Sequence, residues 1–155
     1  VELILAENNQ TVMDKDGLLI RNYISNEAGI GDNEASVLTL LRYKDFSMLF
    51  TGDSGVDTFM KLKNYLPQNI TVLKVGHHGA NGVVNKEMLE YLNPKYALIS
   101  TGINKFGHPT IYTVAMLRDR TILRTDINNS IRFVVNDKGY NTFVFDTKKK
   151  KYIAK

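Results

Sequence analysis

Three strand-like runs in the middle of the sequence each end in side chains able to bind a metal ion or an anion. Ser47–Thr51 leads into Gly52-Asp53, Thr71–Val75 into Gly76-His77-His78-Gly79, and Tyr96–Ser100 towards Asn104-Lys105-Phe106-Gly107-His108-Pro109. All three histidines of the 155-residue chain lie in the last two turns. Loops at the ends of successive strands commonly deliver carboxylate and imidazole to a metal or phosphoester site. A hydrolytic zinc site needs more nitrogen ligands than Asp53, His77, His78 and His108 can supply.

Each residue also has a structural reading. Asp53 follows a glycine and precedes a helical pattern, so it is equally a turn former or a helix N-cap. Adjacent histidines on an irregular backbone diverge, which lets one bind a metal while its neighbour faces a substrate. Gly76 and Gly79 would allow the backbone to take left-handed or otherwise awkward dihedrals and let a ligand approach closely. His108 sits before Pro109 at a helix start, where it either positions the chain or places an imidazolium near an anion.

These turns need a scaffold, and the composition supplies one. With 43% hydrophobic and 23% charged residues, the chain has the make-up of a globular domain and the length for one core. No stretch approaches the roughly 18–20 apolar residues of a membrane helix. The chain begins at Val1 in what reads as a strand over 1–5, without a signal-peptide pattern, and is expected to be part of a longer protein. Having no cysteine, it can ligate a metal only through His, Asp and Glu. That composition fits an extracytoplasmic location without excluding the cytoplasm. The formal charge of +4 concentrates in Lys148–Lys151 and Lys155, so 147–155 reads as a solvated basic tail, with a nucleic-acid contact as the minor alternative.

Along the chain, turn chemistry in Glu7–Gln10 and Asp14–Gly17 precedes a strand over 18–23 and a polar loop over 25–34. Ser36–Tyr43 and Ser47–Thr51 form a hairpin feeding Asp53. Helical spacing of Val56, Phe59, Met60, Leu62 and Leu66 predicts a helix stopped by Pro67, and further helices fall over 86–92 and 110–117. Strands are expected over 71–75, 96–100 and 121–124. A terminal hairpin pairs 130–135 with 141–145 through Asn136-Asp137-Lys138-Gly139. The sum is one α+β domain over residues 1–155, a mixed sheet with covering helices.

The segments Asn33–Leu40, Phe46–Asp53, Val72–Ala80 and Asn104–Pro109, in this order and at these intervals, resemble the C-terminal half of a metallo-β-lactamase-fold hydrolase. More narrowly, they resemble the ComEC-type competence proteins of bacterial DNA uptake. The resemblance implies half of a four-layer αββα sandwich and, in a complete site, two metal ions, zinc or manganese. Asp53 matches the bridging metal ligand and His78 a terminal one, with His77 turned to the substrate phosphate. His108 and Asn104 match a substrate-binding loop at the rim, with His77 and His108 in catalytic roles. Asn33 and Ser36 match residues opening the central strand and are expected to be structural.

The His-x-His-x-Asp-His motif that supplies most ligands in that superfamily occurs nowhere in the chain. The remaining set is expected to bind zinc poorly or not at all, leaving this chain inactive by itself. Half a sandwich also leaves a sheet face bare, to be covered by a missing N-terminal half or a second copy. The expected function is that of a metal-dependent phosphodiesterase or nuclease domain acting on a phosphoester, single-stranded DNA among the candidates. The alternatives are a non-catalytic DNA- or partner-binding module and a phosphocholine-type small-phosphoester hydrolase. The expected placement is a soluble domain, either secreted or part of a membrane-bound parent.

Overall fold

The computed structural model describes residues 7–25, 31 and 33–155. Its main sheet runs β1 (Gln10–Lys15), β2 (Leu18–Tyr23), β3 (Leu38–Tyr43), β4 (Phe46–Phe50), β5 (Val72–Lys74), β6 (Tyr96–Ile99) and β7 (Thr121–Arg124), in that spatial order. The first four strands pair antiparallel, and β4 to β7 are parallel. Parallel neighbours need long crossovers, which here contain α1 (Val56–Leu62), α2 (Lys86–Leu92) and α3 (Ile111–Met116). A short helix α4 (Thr125–Asn128) follows β7, and β8 (Ile131–Asn136), β9 (Gly139–Asp146) and β10 (Lys151–Ala154) form a second sheet in the order β10-β9-β8. The α+β class and mixed sheet agree with the sequence expectation. Among the described residues no helix is long and apolar enough to cross a membrane.

Strand alternation builds a core on each face of the main sheet. Leu38, Leu40, Leu49, Leu73, Ala97 and Ile99 point to one side, where they bury against Phe59 and Leu62 of α1, Leu89 and Leu92 of α2, and Leu117 beyond α3. Phe46, Met48 and Val72 point to the other, where Phe133, Val135 and Tyr140 of the β8–β9 hairpin pack on them. The C-terminal hairpin therefore covers part of the face that a half-sandwich was expected to leave bare. Phe50, on the same face, remains 37% exposed. Leu49, Val72, Leu73 and Ala97 are completely buried, and full burial of an aliphatic side chain contributes about 1.5–3 kcal/mol.

The helix starts carry recognisable caps. Asn85 Oδ1 accepts from Met88 N at 2.8 Å to start α2, and Thr110 Oγ1 accepts from Thr113 N at 3.3 Å to start α3. α1 differs, because its N-cap is Gly55 and no local side chain caps it. Glu34, from the segment before β3, does so instead. Its carboxylate accepts from Gly55 N at 3.3 Å, from Thr58 N at 3.1 Å and from the Thr58 hydroxyl. Asp53 is thus not the cap of α1.

Some elements depart from the sequence expectation. Gln10–Lys15, read largely as turn, is edge strand β1, and Lys151–Ala154, inside the expected basic tail, is edge strand β10. Both are mostly exposed, so neither shows the alternation that marks a half-buried strand. The strand expected over 1–5 lies outside the described residues, as do 26–30 and 32 of the loop before β3.

Candidate functional site

The parallel arrangement sends the segments after β4, β5 and β6 to one rim of the sheet, the carboxyl ends where open α/β sheets place ligands. Asp53 follows β4, His77 and His78 follow β5, and His108 closes the loop after β6. β3 runs antiparallel to β4, so the residues before it, Asn33 and Ser36, reach the same rim.

Backbone packing locks the turns together. A Cβ on Gly76 would lie 2.1 Å from Ser54 O, so only glycine lets the second turn close on the first. A Cβ on Gly79 would lie 2.6 Å from Pro109 Cβ, which fixes the second turn against the third. Hydrogen bonds follow the same path: His77 N donates to Gly52 O at 3.2 Å, and Thr110 N to Gly79 O at 2.9 Å.

The histidine turn is left-handed at both histidines as well as at one of its flanking glycines. Gly79 has φ +82°, but Gly76 is extended at −63°, and the remaining positive dihedrals are His77 (+44°) and His78 (+54°). Left-handed backbone at a non-glycine residue costs on the order of 1 kcal/mol or more and needs surrounding structure to enforce it. Two i→i+3 bonds do so here, from Gly79 N to Gly76 O at 2.8 Å and from Ala80 N to His77 O at 2.9 Å.

The two imidazoles have different partners. His78 Nδ1 lies 2.7 Å from Ser100 O; a carbonyl only accepts, so Nδ1 carries a proton and Nε2 is the ring nitrogen left for another partner. A backbone carbonyl holding one ring nitrogen is the usual support for a metal-ligating histidine. His77 Nδ1 lies 3.3 Å from Asn33 Nδ2; with the amide nitrogen donating, the His77 proton sits at Nε2, available to an anion. His77 and His108 meet edge to face at 5.5 Å between ring centres, while His77 and His78 diverge to 6.5 Å. His77 and His108 are partly buried and His78 is exposed.

Asp53 is held by its backbone. Its N–H donates to Ser36 Oγ at 3.1 Å, and that hydroxyl donates to Asn33 O at 2.7 Å. Among the described residues its carboxylate makes no hydrogen bond, which leaves it available. Lys74, at the end of β5, is half-buried and donates to Gly52 O at 3.2 Å. Burial pushes its ammonium below the ordinary lysine value, and the negative charge of Asp53 partly offsets that.

Asn104 spends its amide on its own loop. Nδ2 donates to Gly102 O at 2.9 Å and His108 O at 2.7 Å, and Oδ1 accepts from Phe106 N at 3.0 Å and His108 N at 3.1 Å. Expected to touch substrate, it here shapes the rim that presents His108. The base of the loop is tied by Thr125, whose Oγ1 accepts from Thr101 N at 2.7 Å and donates to Thr101 O at 2.5 Å.

Asn33 and Ser36, expected to be structural, touch the site directly, Asn33 through His77 and Ser36 through Asp53. Sequence reasoning missed Lys74, although a lysine inside Val72-Leu73-Lys74-Val75 was a visible signal, since charge in a buried strand is costly. Among the described residues no group of three His, Asp or Glu side chains is placed to hold a metal ion.

Taken together, the site belongs to an α+β domain that gathers one carboxylate and three imidazoles on the carboxyl rim of parallel strands. No protein-family model matches the sequence. Among curated proteins, the chain is similar to ComE operon protein 3 of Bacillus subtilis, 34% identical over 105 residues that make up 65% of this chain and 14% of that protein. It is also similar to Competence protein ComA of Neisseria gonorrhoeae, 31% identical over 114 residues, 70% of this chain and 16% of that protein. Both similarities support a competence-related protein family, of whose members the chain spans only a small part.

Proposed function

We propose that this chain contributes part of a phosphodiester-hydrolysing site to a competence DNA-uptake-type protein. The observation that carries the proposal is the division of labour at the rim: His78 is held through Nδ1 with Nε2 left for another partner, while His77 and His108 pack together beside it. In this reading Asp53 and His78 are the metal-facing pair, two ligands of a set the described residues do not complete. His77 donates from Nε2 to a phosphoryl oxygen, and His108 bounds the same space from the loop after β6. Lys74 adds positive charge beneath the anion. Zinc or manganese dependence and DNA as substrate rest on the resemblance alone, and the names of the similar proteins support the competence connection. The test is hydrolysis of a DNA phosphodiester by the protein that carries this chain, in buffer supplied with zinc or manganese. Asp53→Ala is expected to slow it by at least about 100-fold, as for loss of an essential electrostatic group; an unchanged rate contradicts the proposal.

A second reading is a non-catalytic DNA-binding module. It is favoured by the incomplete ligand set and by the exposed run Lys148–Lys151. Such a module binds DNA with a steep salt dependence and no requirement for metal, and shows no hydrolysis under any metal condition.

A further inference from the structure

The loop after β6 carries an aromatic ring that neither the metal-facing pair nor the phosphoryl contacts use. Phe106 is 70% exposed, and the Lys105 ammonium lies 5.7 Å from its ring centre. A single exposed apolar side chain is ordinary on a protein surface. This one sits on an organised loop, with its own N–H bonded to Asn104 Oδ1 and the same amide holding Gly102 and His108. Its ring is inclined 30° to the His108 imidazole at 5.9 Å, and His108 lies 5.5 Å from His77. A row of flat rings thus runs from solvent to the imidazole assigned to the phosphate.

A ligand that uses the whole row has a planar ring joined by a short linker to an anion. A nucleotide meets that description, whereas an aliphatic phosphoester leaves Phe106 without a partner. Stacking on an aromatic side chain beside a positively charged track is how proteins hold single strands without reading sequence. In a duplex the faces of each base are already covered by its neighbours, so an unstacked strand suits the ring.

We infer that Phe106 is a base-stacking residue that seats single-stranded nucleic acid on this rim, with the attached phosphate at His108 and His77. The inference rests on the phosphodiester reading of the site and adds to it a preference for phosphodiesters that carry a base.

The experiment is fluorescence anisotropy with labelled strands of about 10 nucleotides, comparing base-bearing DNA, an abasic strand of equal length, and RNA. The full chain is expected to bind the base-bearing strands more tightly than the abasic one. Phe106→Ala is expected to weaken base-bearing binding about tenfold and leave abasic binding unchanged, while Phe106→Trp retains the preference. The DNA and RNA arms identify which backbone supplies the strand. A Phe106→Ala chain that keeps the full preference for bases overturns the stacking role and leaves the phosphodiester reading standing. Parent chain that binds none of the strands also overturns the stacking role, whereas the phosphodiester reading stands or falls by the hydrolysis assay on the protein that carries this chain. Equal melting of parent and variant confirms that the comparison is made on folded protein.

Discussion

Adjacent histidines in left-handed backbone are an unfavourable arrangement that the chain maintains through its neighbours. The turn is pressed between Ser54 on one side and Pro109 on the other, and glycine is what permits both approaches. Gly76→Ala must displace the Ser54 backbone, an overpacking cost of about 1–3 kcal/mol measurable by urea unfolding. Gly102→Ala is the control: a Cβ there meets nothing within 4 Å, and its effect is expected within about 0.5 kcal/mol. Equal effects at the two positions would mean that the turns are not packed as described. At this scale the sequence displayed the chemical side chains themselves, Asp53, His77, His78 and His108. It did not display which backbone positions carry the strain, because Gly76 serves close approach to a loop some twenty residues away and not a left-handed dihedral.

The elements convert these turns into one rim. The strands β5, β6 and β7 and all three crossover helices were legible from apolar runs and periodicity, with Pro67 and Asn93-Pro94 stopping the first two helices and Pro109 preceding the third. What could not be read was remote support: Glu34 caps α1 from before β3, and Thr125 ties the loop after β6 from beyond β7. Neither contact is encoded by local spacing. Edge strands β1 and β10 escaped for a related reason, because exposed edges carry polar residues that also suit turns. The loop after β6 offers the direct test of element-scale order. Asn104→Ala removes its central amide, so the Phe106 and His108 N–H groups are expected to exchange with solvent at least about tenfold faster, with a global cost of about 1 kcal/mol. Unchanged exchange at these two amides would show that the loop is ordered by something else.

For the molecule as a whole, two cores on opposite faces of one mixed sheet hold the rim, and the β8–β9 hairpin supplies cover that the sequence pattern had not assigned to this chain. The α4 corner that ties the rim carries the ion pair of Arg124 and Asp126, bonded through Nε at 3.0 Å and Nη2 at 2.6 Å. Arg124 holds the Asp126 carboxyl below the usual carboxylate range, chiefly through that hydrogen bonding. A folded-state value below the unfolded one means stability that is present above about pH 4 and lost as pH falls through the depressed folded value. Asp126→Asn is therefore expected to lower the melting temperature slightly at pH 7, by no more than the ~1 kcal/mol of an exposed pair. The gap should close in strongly acidic buffer, and a gap that persists there would assign the effect to packing.

The central claim is that the rim recognises a phosphodiester through His77 and His108 while His78 serves a different partner. The most direct measurement is the long-range proton–nitrogen spectrum of the three imidazoles in nitrogen-15-labelled full chain, recorded while a single-stranded oligodeoxynucleotide is titrated in without metal. His78 is expected to stay protonated at Nδ1 throughout, with the His77 and His108 ring signals moving together on binding. If the strand binds and neither His77 nor His108 responds, these imidazoles do not recognise the phosphodiester.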